Sequence, residues 1–147
     1  MKRISFLLFI MSTIFLACKK DYQGDTYDFS NNLPPYVTLS STAAKTVKQG
    51  ASTTFTFQMR TALQQTVTVY YDVIGGGVNI TNQTVIIDRE KLSAVATVNI
   101  PIVIVSPATS ATAILTVVKA VAADGTLLTI GSKNTAATQK VTINITL

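Results

Sequence analysis

From Tyr36 onward, apolar and polar side chains alternate with period two. Phe55, Phe57 and Met59 alternate with Thr54, Thr56 and Gln58, so one face of that segment is apolar and the other polar, as in a half-buried strand. Val67, Val69 and Tyr71 stand against Thr66, Thr68 and Tyr70, and Val141, Ile143 and Ile145 against Thr142, Asn144 and Thr146. Ala94, Ala96, Val98, Ile100 and Ile102 form a fourth row. Most of these positions are β-branched, which suits a pleated surface packed on one side. Turn-forming breaks separate the runs at Gln49-Gly50, Gly75-Gly76-Gly77, Asp88-Arg89-Glu90-Lys91, Ser106-Pro107, Asp124-Gly125 and Gly131-Ser132. The pattern predicts seven or eight strands: Tyr36–Ser41, Ser52–Arg60, Thr66–Val73, Gln83–Asp88, Ala94–Ile104, Thr112–Val121, a short Thr126–Ile130, and Lys140–Thr146. No window here carries a 3.6-residue apolar stripe, so no crossover helix is available to join parallel neighbours. The expected fold is all-β: a single antiparallel, Ig-like two-sheet sandwich with Phe55, Phe57, Val69, Tyr71, Ile100, Val117 and Ile143 in its core.

Residues 1–35 follow a different pattern. Met1-Lys2-Arg3 is basic, and Ile4 to Leu16 is an uncharged apolar run. That run is shorter than the ~20 residues a membrane-spanning helix needs, and it reads as an export-signal core. It ends at Phe15-Leu16-Ala17-Cys18, where a small residue directly precedes the only cysteine. This junction resembles a bacterial lipobox, which implies cleavage before Cys18 and lipid attachment to its sulfur. Lys19 to Pro35 is polar and carries Gly24, Asn31, Asn32, Pro34 and Pro35. It reads as a flexible tether that would reach about 55 Å when extended and about half that as a coil. The expected organisation is a signal peptide over 1–17, a lipidated N-terminus and tether over 18–35, and a sandwich over 36–147. The Cys18-Lys19-Lys20-Asp21 start also resembles lipoproteins of Bacteroidota. That resemblance implies a place on the outer membrane through an N-terminal palmitate-bearing anchor, with the cell surface and the periplasmic face both open.

Composition narrows the chemistry. The chain has no histidine and no tryptophan, so it lacks the side chain that most often moves protons near neutral pH and binds zinc. Its single cysteine excludes an intrachain disulfide. The net charge is +5, and from Tyr36 onward eight basic residues against four acids give +4 spread singly along the chain. A nucleic-acid surface would cluster them and interleave aromatics, so nucleic acid is not an expected partner. With neither histidine nor a Ser-x-x-Lys spacing, no base is visible to activate a hydroxyl. No catalytic residue, cofactor or metal ligand is expected, and the chain does not read as an enzyme.

Val37-Thr-Leu-Ser-Ser, Gly50 with Thr53-Thr-Phe-Thr-Phe-Gln, and Thr66-Val-Thr-Val-Tyr-Tyr-Asp resemble the opening of a Calx-beta repeat. Ala113-Ile-Leu-Thr-Val-Val and Val141-Thr-Ile-Asn-Ile match its pair of long closing strands. The resemblance implies that fold over nearly all of Tyr36–Leu147. Calcium-binding members bring acidic clusters to one end, whereas Asp72, Asp88, Glu90 and Asp124 are scattered here. Calcium wants six to eight converging oxygens, so the expectation carries over the fold without the metal.

Three other features have bland readings. Gly75-Gly76-Gly77 would need a following helix to cradle a phosphate, and none follows, so it reads as a loop between strands. Asp88 to Lys91 reads as a solvated turn. Tyr70 should face outward, either as a ligand contact that stacks on a sugar or as one half of a cross-strand pair with a threonine or lysine. The expected role is a cell-envelope lipoprotein with a non-catalytic binding, adhesion or structural domain and an unidentified protein or glycan ligand. The alternatives are a glycan-binding accessory protein using Tyr70 and the loop-proximal Tyr36, and an assembly subunit that exchanges its last strand, Lys140–Thr146.

Overall fold

A computed structural model describes residues 34–104, 107–131 and 139–147. The strands are β1 (Tyr36–Leu39), β2 (Lys45–Lys48), β3 (Ser52–Met59), β4 (Val67–Gly75), β5 (Val78–Ile87), β6 (Ser93–Asn99), β7 (Ser110–Ala122), β8 (Leu127–Ile130) and β9 (Lys140–Thr146). They make two layers. One runs β8-β1-β3-β6 and the other β2-β9-β7-β4-β5. β8 joins them, since Leu127 and Leu128 pair with β7 while Thr129 and Ile130 pair with β1.

The alternating rows meet between the layers. All seven residues expected in the core are buried there. The rings of Phe57 on β3 and Tyr71 on β4 pack across the gap with centroids 5.2 Å apart. The apolar face of each layer is thereby removed from water, at about 25 cal/mol per Å² of apolar surface.

Four expectations need correction. Among the described residues there are nine strands, because Lys45–Lys48 forms β2; with Val47 as its only inward apolar residue, it shows too little alternation to be recognised. The sandwich is also mixed, since β1 runs parallel to β8 and β2 parallel to β9. The N-terminal strand is split between the two layers. Each half pairs with a strand from the far end of the chain, so the intervening sandwich serves as the connection that a helix would otherwise provide.

The fourth row ends early. β6 stops at Asn99, ahead of Pro101, and Ile102 is 78% exposed while Ile104 is buried in its place. Finally, Lys140–Thr146 is not a spare strand: β9 lies between β7 and β2, and both of its edges are paired.

Two glutamines bind the layers where the chain changes layer. Gln49 follows β2, and its Oε1 accepts the Val103 and Ile104 N–H groups at 3.1 and 2.9 Å. Those bonds hold the segment after β6 against the core. Gln139 precedes β9 and is 6% exposed. Its backbone oxygen accepts from Val117 N–H on β7, while its Oε1 accepts the Leu39 N–H at 2.7 Å and the Thr38 hydroxyl at 2.6 Å on β1. One side chain thus satisfies a buried backbone donor that has run out of ladder partners.

Candidate functional site

The open side of the sandwich lies between β5 and β6, the outer strands of the two layers. β4 and β5 pair from Val67↔Ile87 to Tyr71↔Gln83 and resume at Val73↔Ile80. Thr81 and Asn82 therefore face Asp72 alone, which is a β-bulge, and a bulge bends its strand. Asn82 sits at φ 55°, a left-handed conformation that asparagine tolerates. The carboxylate of Asp72 fixes it there by accepting the Asn82 N–H at 2.8 Å.

Beside the bulge is a cleft of about 190 Å³, lined by Tyr71, Ile80, Gln83, Thr97, Val98 and Asn99. Tyr71 reaches it from the core and is only 3% exposed. Its hydroxyl has no hydrogen-bond partner among the described residues. Every fully buried polar side-chain atom among them does have one, so the Tyr71 hydroxyl keeps part of the residue's small exposure, on the residue that lines the cleft. Burial pushes the Tyr71 hydroxyl above the usual tyrosine pKa, because the ionised form would lose hydration.

The neighbouring side chains are partly committed. Gln83 Nε2 donates to Thr81 O at 3.1 Å, and Asn99 Oδ1 accepts from the Ser52 hydroxyl at 2.7 Å. Gln83 Oε1 keeps hydrogen-bonding capacity, while Thr97 and Asn99 turn their side chains to the outer face and line the cleft through the backbone edge of β6. The cleft can thus both donate and accept, has an apolar floor at Ile80 and Val98, and among the described residues is lined by no charged one. Such a set orients a neutral ligand, and it offers no base to drive proton transfer.

Tyr70 is on the opposite, outer face of β4, in register with Thr84 on β5 and Lys119 on β7. A register shift in β7 exposes Val118 and turns Lys119 onto the same face, with Nζ 4.5 Å from the Tyr70 ring centroid. Lysine and threonine are the cross-strand neighbours expected from the alternation, and the lysine lies over the ring face on which a sugar would stack. Tyr36 pairs with Thr129 of β8 at the other edge of the fold. Cys18 lies outside the described residues.

The acids serve separate local structures. Asp72 caps the bulge, and Glu90 pairs with Arg89 at 3.3 Å in the exposed turn over Asp88–Lys91. Asp124 accepts the Thr126 N–H at 2.9 Å and Gln65 Nε2 at 3.1 Å, and these bonds hold its carboxyl below the usual range. Among the described residues, no three of His, Cys, Asp and Glu come together. The glycine run is a hairpin turn: Gly76 and Gly77 take φ +57° and +86°, as a two-residue loop matching strand twist requires.

No family model matches the chain, and no curated protein matches it. Solved structures do. The apo-form Calx CBD1 domain superimposes with a TM-score of 0.56 at 8% identity, over 77% of this chain and 96% of that one. CBD12 from CALX1.2 gives 0.53 at 10% identity over 75% of this chain, which spans 43% of that longer chain. The fold is Calx-beta-like. At such identities the likeness speaks for architecture, and what the cleft does rests on its own residues.

The alternation placed Tyr71 in the core but said nothing of the cleft. The available signal was chemical: a tyrosine aimed inward carries a hydroxyl that needs a partner or an exit. Gln83, Thr97 and Asn99 gave no such signal, because polar residues near strand ends are ordinary.

Proposed function

We propose that this chain is a lipid-anchored cell-envelope protein whose Calx-beta-like sandwich is a non-catalytic binding domain, held off the outer membrane by residues 18–35. The binding role is supported by a single observation: the buried Tyr71 hydroxyl, without a partner among the described residues, opens into a cleft of neutral donors and acceptors. A site with a hydroxyl and amides but no activating base holds a ligand and leaves it unchanged. The Calx-beta-like likeness supports the same reading at the level of fold.

The address is supported by the short apolar run and the Ala17-Cys18 junction. Lipid chains contribute about 0.8 kcal/mol per buried CH₂, so two or more hold a protein stably where one does so marginally. In a bacterial host, the wild-type chain should take up labelled palmitate and sediment with membranes. Cys18→Ser should stay uncut or become soluble and should lose the label. A Cys18→Ser chain that still incorporates palmitate and remains in the membrane fraction would end the lipoprotein reading.

A further inference from the structure

The ligand's chemistry follows from what the cleft offers. Among the described residues no cation and no carboxylate lines it, so an ion would be desolvated there without compensation from them. The available side-chain groups are the Tyr71 hydroxyl, which both donates and accepts, and the Gln83 amide, whose Oε1 accepts; β6 meets the cleft with its backbone edge over Thr97–Asn99, because the Thr97 and Asn99 side chains turn to the outer face with Thr54 and Ser52. Adjacent hydroxyls on a ligand match that set, since each also donates and accepts. Ile80 and Val98 supply an apolar patch for C–H groups. At about 190 Å³ the space is below the ~300–1,000 Å³ of pockets for drug-sized ligands, which limits the occupant to one ring. The Asp72-capped bulge keeps this geometry in place before any ligand arrives.

We infer that the β5–β6 cleft binds a single neutral sugar ring, with the Tyr71 hydroxyl as its central hydrogen-bonding group. This deepens the binding role proposed above and rests on it, while the site differs from the outer-face Tyr70. The ring can come from a free monosaccharide or from the end of a longer glycan, and both present the same hydroxyls.

The test uses the full chain in a detergent without a sugar headgroup and with ¹³C-labelled tyrosine rings. Glucose, galactose, mannose and N-acetylglucosamine are titrated singly, then maltose and lactose, with glucuronate as a charged control. At least one neutral monosaccharide should shift the Tyr71 ring resonances saturably, and glucuronate should bind no better than glucose. Tighter binding of a disaccharide than of its component rings would identify a glycan end as the source; equal binding would identify the free sugar. Tyr71→Phe, which removes one oxygen, should weaken binding about three- to tenfold at an unchanged or higher melting temperature. Tyr70→Ala should leave the affinity unchanged.

Two results overturn the inference: no neutral sugar moves the Tyr71 signals, so the cleft holds water only, or binding survives Tyr71→Phe and disappears with Tyr70→Ala. The palmitate experiment reads a different quantity, so anchor and ligand can fail separately.

Discussion

Gln139 gives the most quantitative check on how the two layers are held together. Gln139→Leu keeps the bulk of the side chain and removes the Oε1 that accepts the Leu39 N–H at 2.7 Å and the Thr38 hydroxyl at 2.6 Å. Leu39 is 5% exposed, so its N–H would lose its partner in a place water does not reach. Leaving such a donor unsatisfied costs about 1–3 kcal/mol. Thr38 is half-buried and has a second acceptor within reach, the Leu39 carbonyl at 3.2 Å, so its loss adds less. The expected total is about 2–3 kcal/mol, or about 8–12 °C in melting temperature at roughly 4 °C per kcal/mol for a domain of this size. Urea unfolding followed by far-ultraviolet circular dichroism measures it. Thr38→Val should cost under about 1 kcal/mol, and the double variant should fall short of the sum because the two groups share one acceptor. A Gln139→Leu protein within about 0.5 kcal/mol of wild type would refute the idea that this amide ties β1 to β7.

Phe57→Ala should cost about 3–5 kcal/mol by urea unfolding, because the residue is fully buried between the layers, whereas the half-buried, outward Thr56 should cost far less as alanine. Equal losses would mean that the β3 register is reversed. Gly76→Ala should destabilise more than Gly125→Ala by the same measurement, since both have positive φ but only at Gly76 would a Cβ fall 2.8 Å from Thr112 O. Burial raises the Tyr71 pKa, so in alkali the unfolded chain gives up this proton first. That contribution to stability is complete below about pH 10 and is lost as pH rises through the higher folded-state value; Tyr71→Phe should flatten the melting-temperature profile there. EGTA should leave the melting temperature where it was, and a fall reversed by calcium would show acids meeting in a site that Asp72 and Asp124 do not form here.

Core positions were legible in the sequence because burial of one strand face imposes an alternation that a one-residue slip would destroy. Phe55, Val69, Ile100 and Ile143 could be placed on that ground alone. The parallel edges were not legible, since splitting the N-terminal strand between layers depends on partners a whole domain away in sequence. Ile102 kept the alternation yet lies outside, because Pro101 cannot donate to a ladder and Gln49 captures the backbone that follows. The cleft was hidden for a similar reason. It lies beside a bulge in which Asp72 holds a left-handed Asn82 ten residues on, and two isolated polar residues carry no period to reveal that bulge.

The central claim is that a binding sandwich is presented from a lipid anchor at Cys18. Intact-mass spectrometry of the protein extracted from membranes of the expressing cell tests it most directly. The account predicts a mature chain that begins at Cys18 and carries the added mass of a diacylglyceryl group and its acyl chains. A membrane-bound chain that retains Met1, or one with an unmodified Cys18, would contradict it.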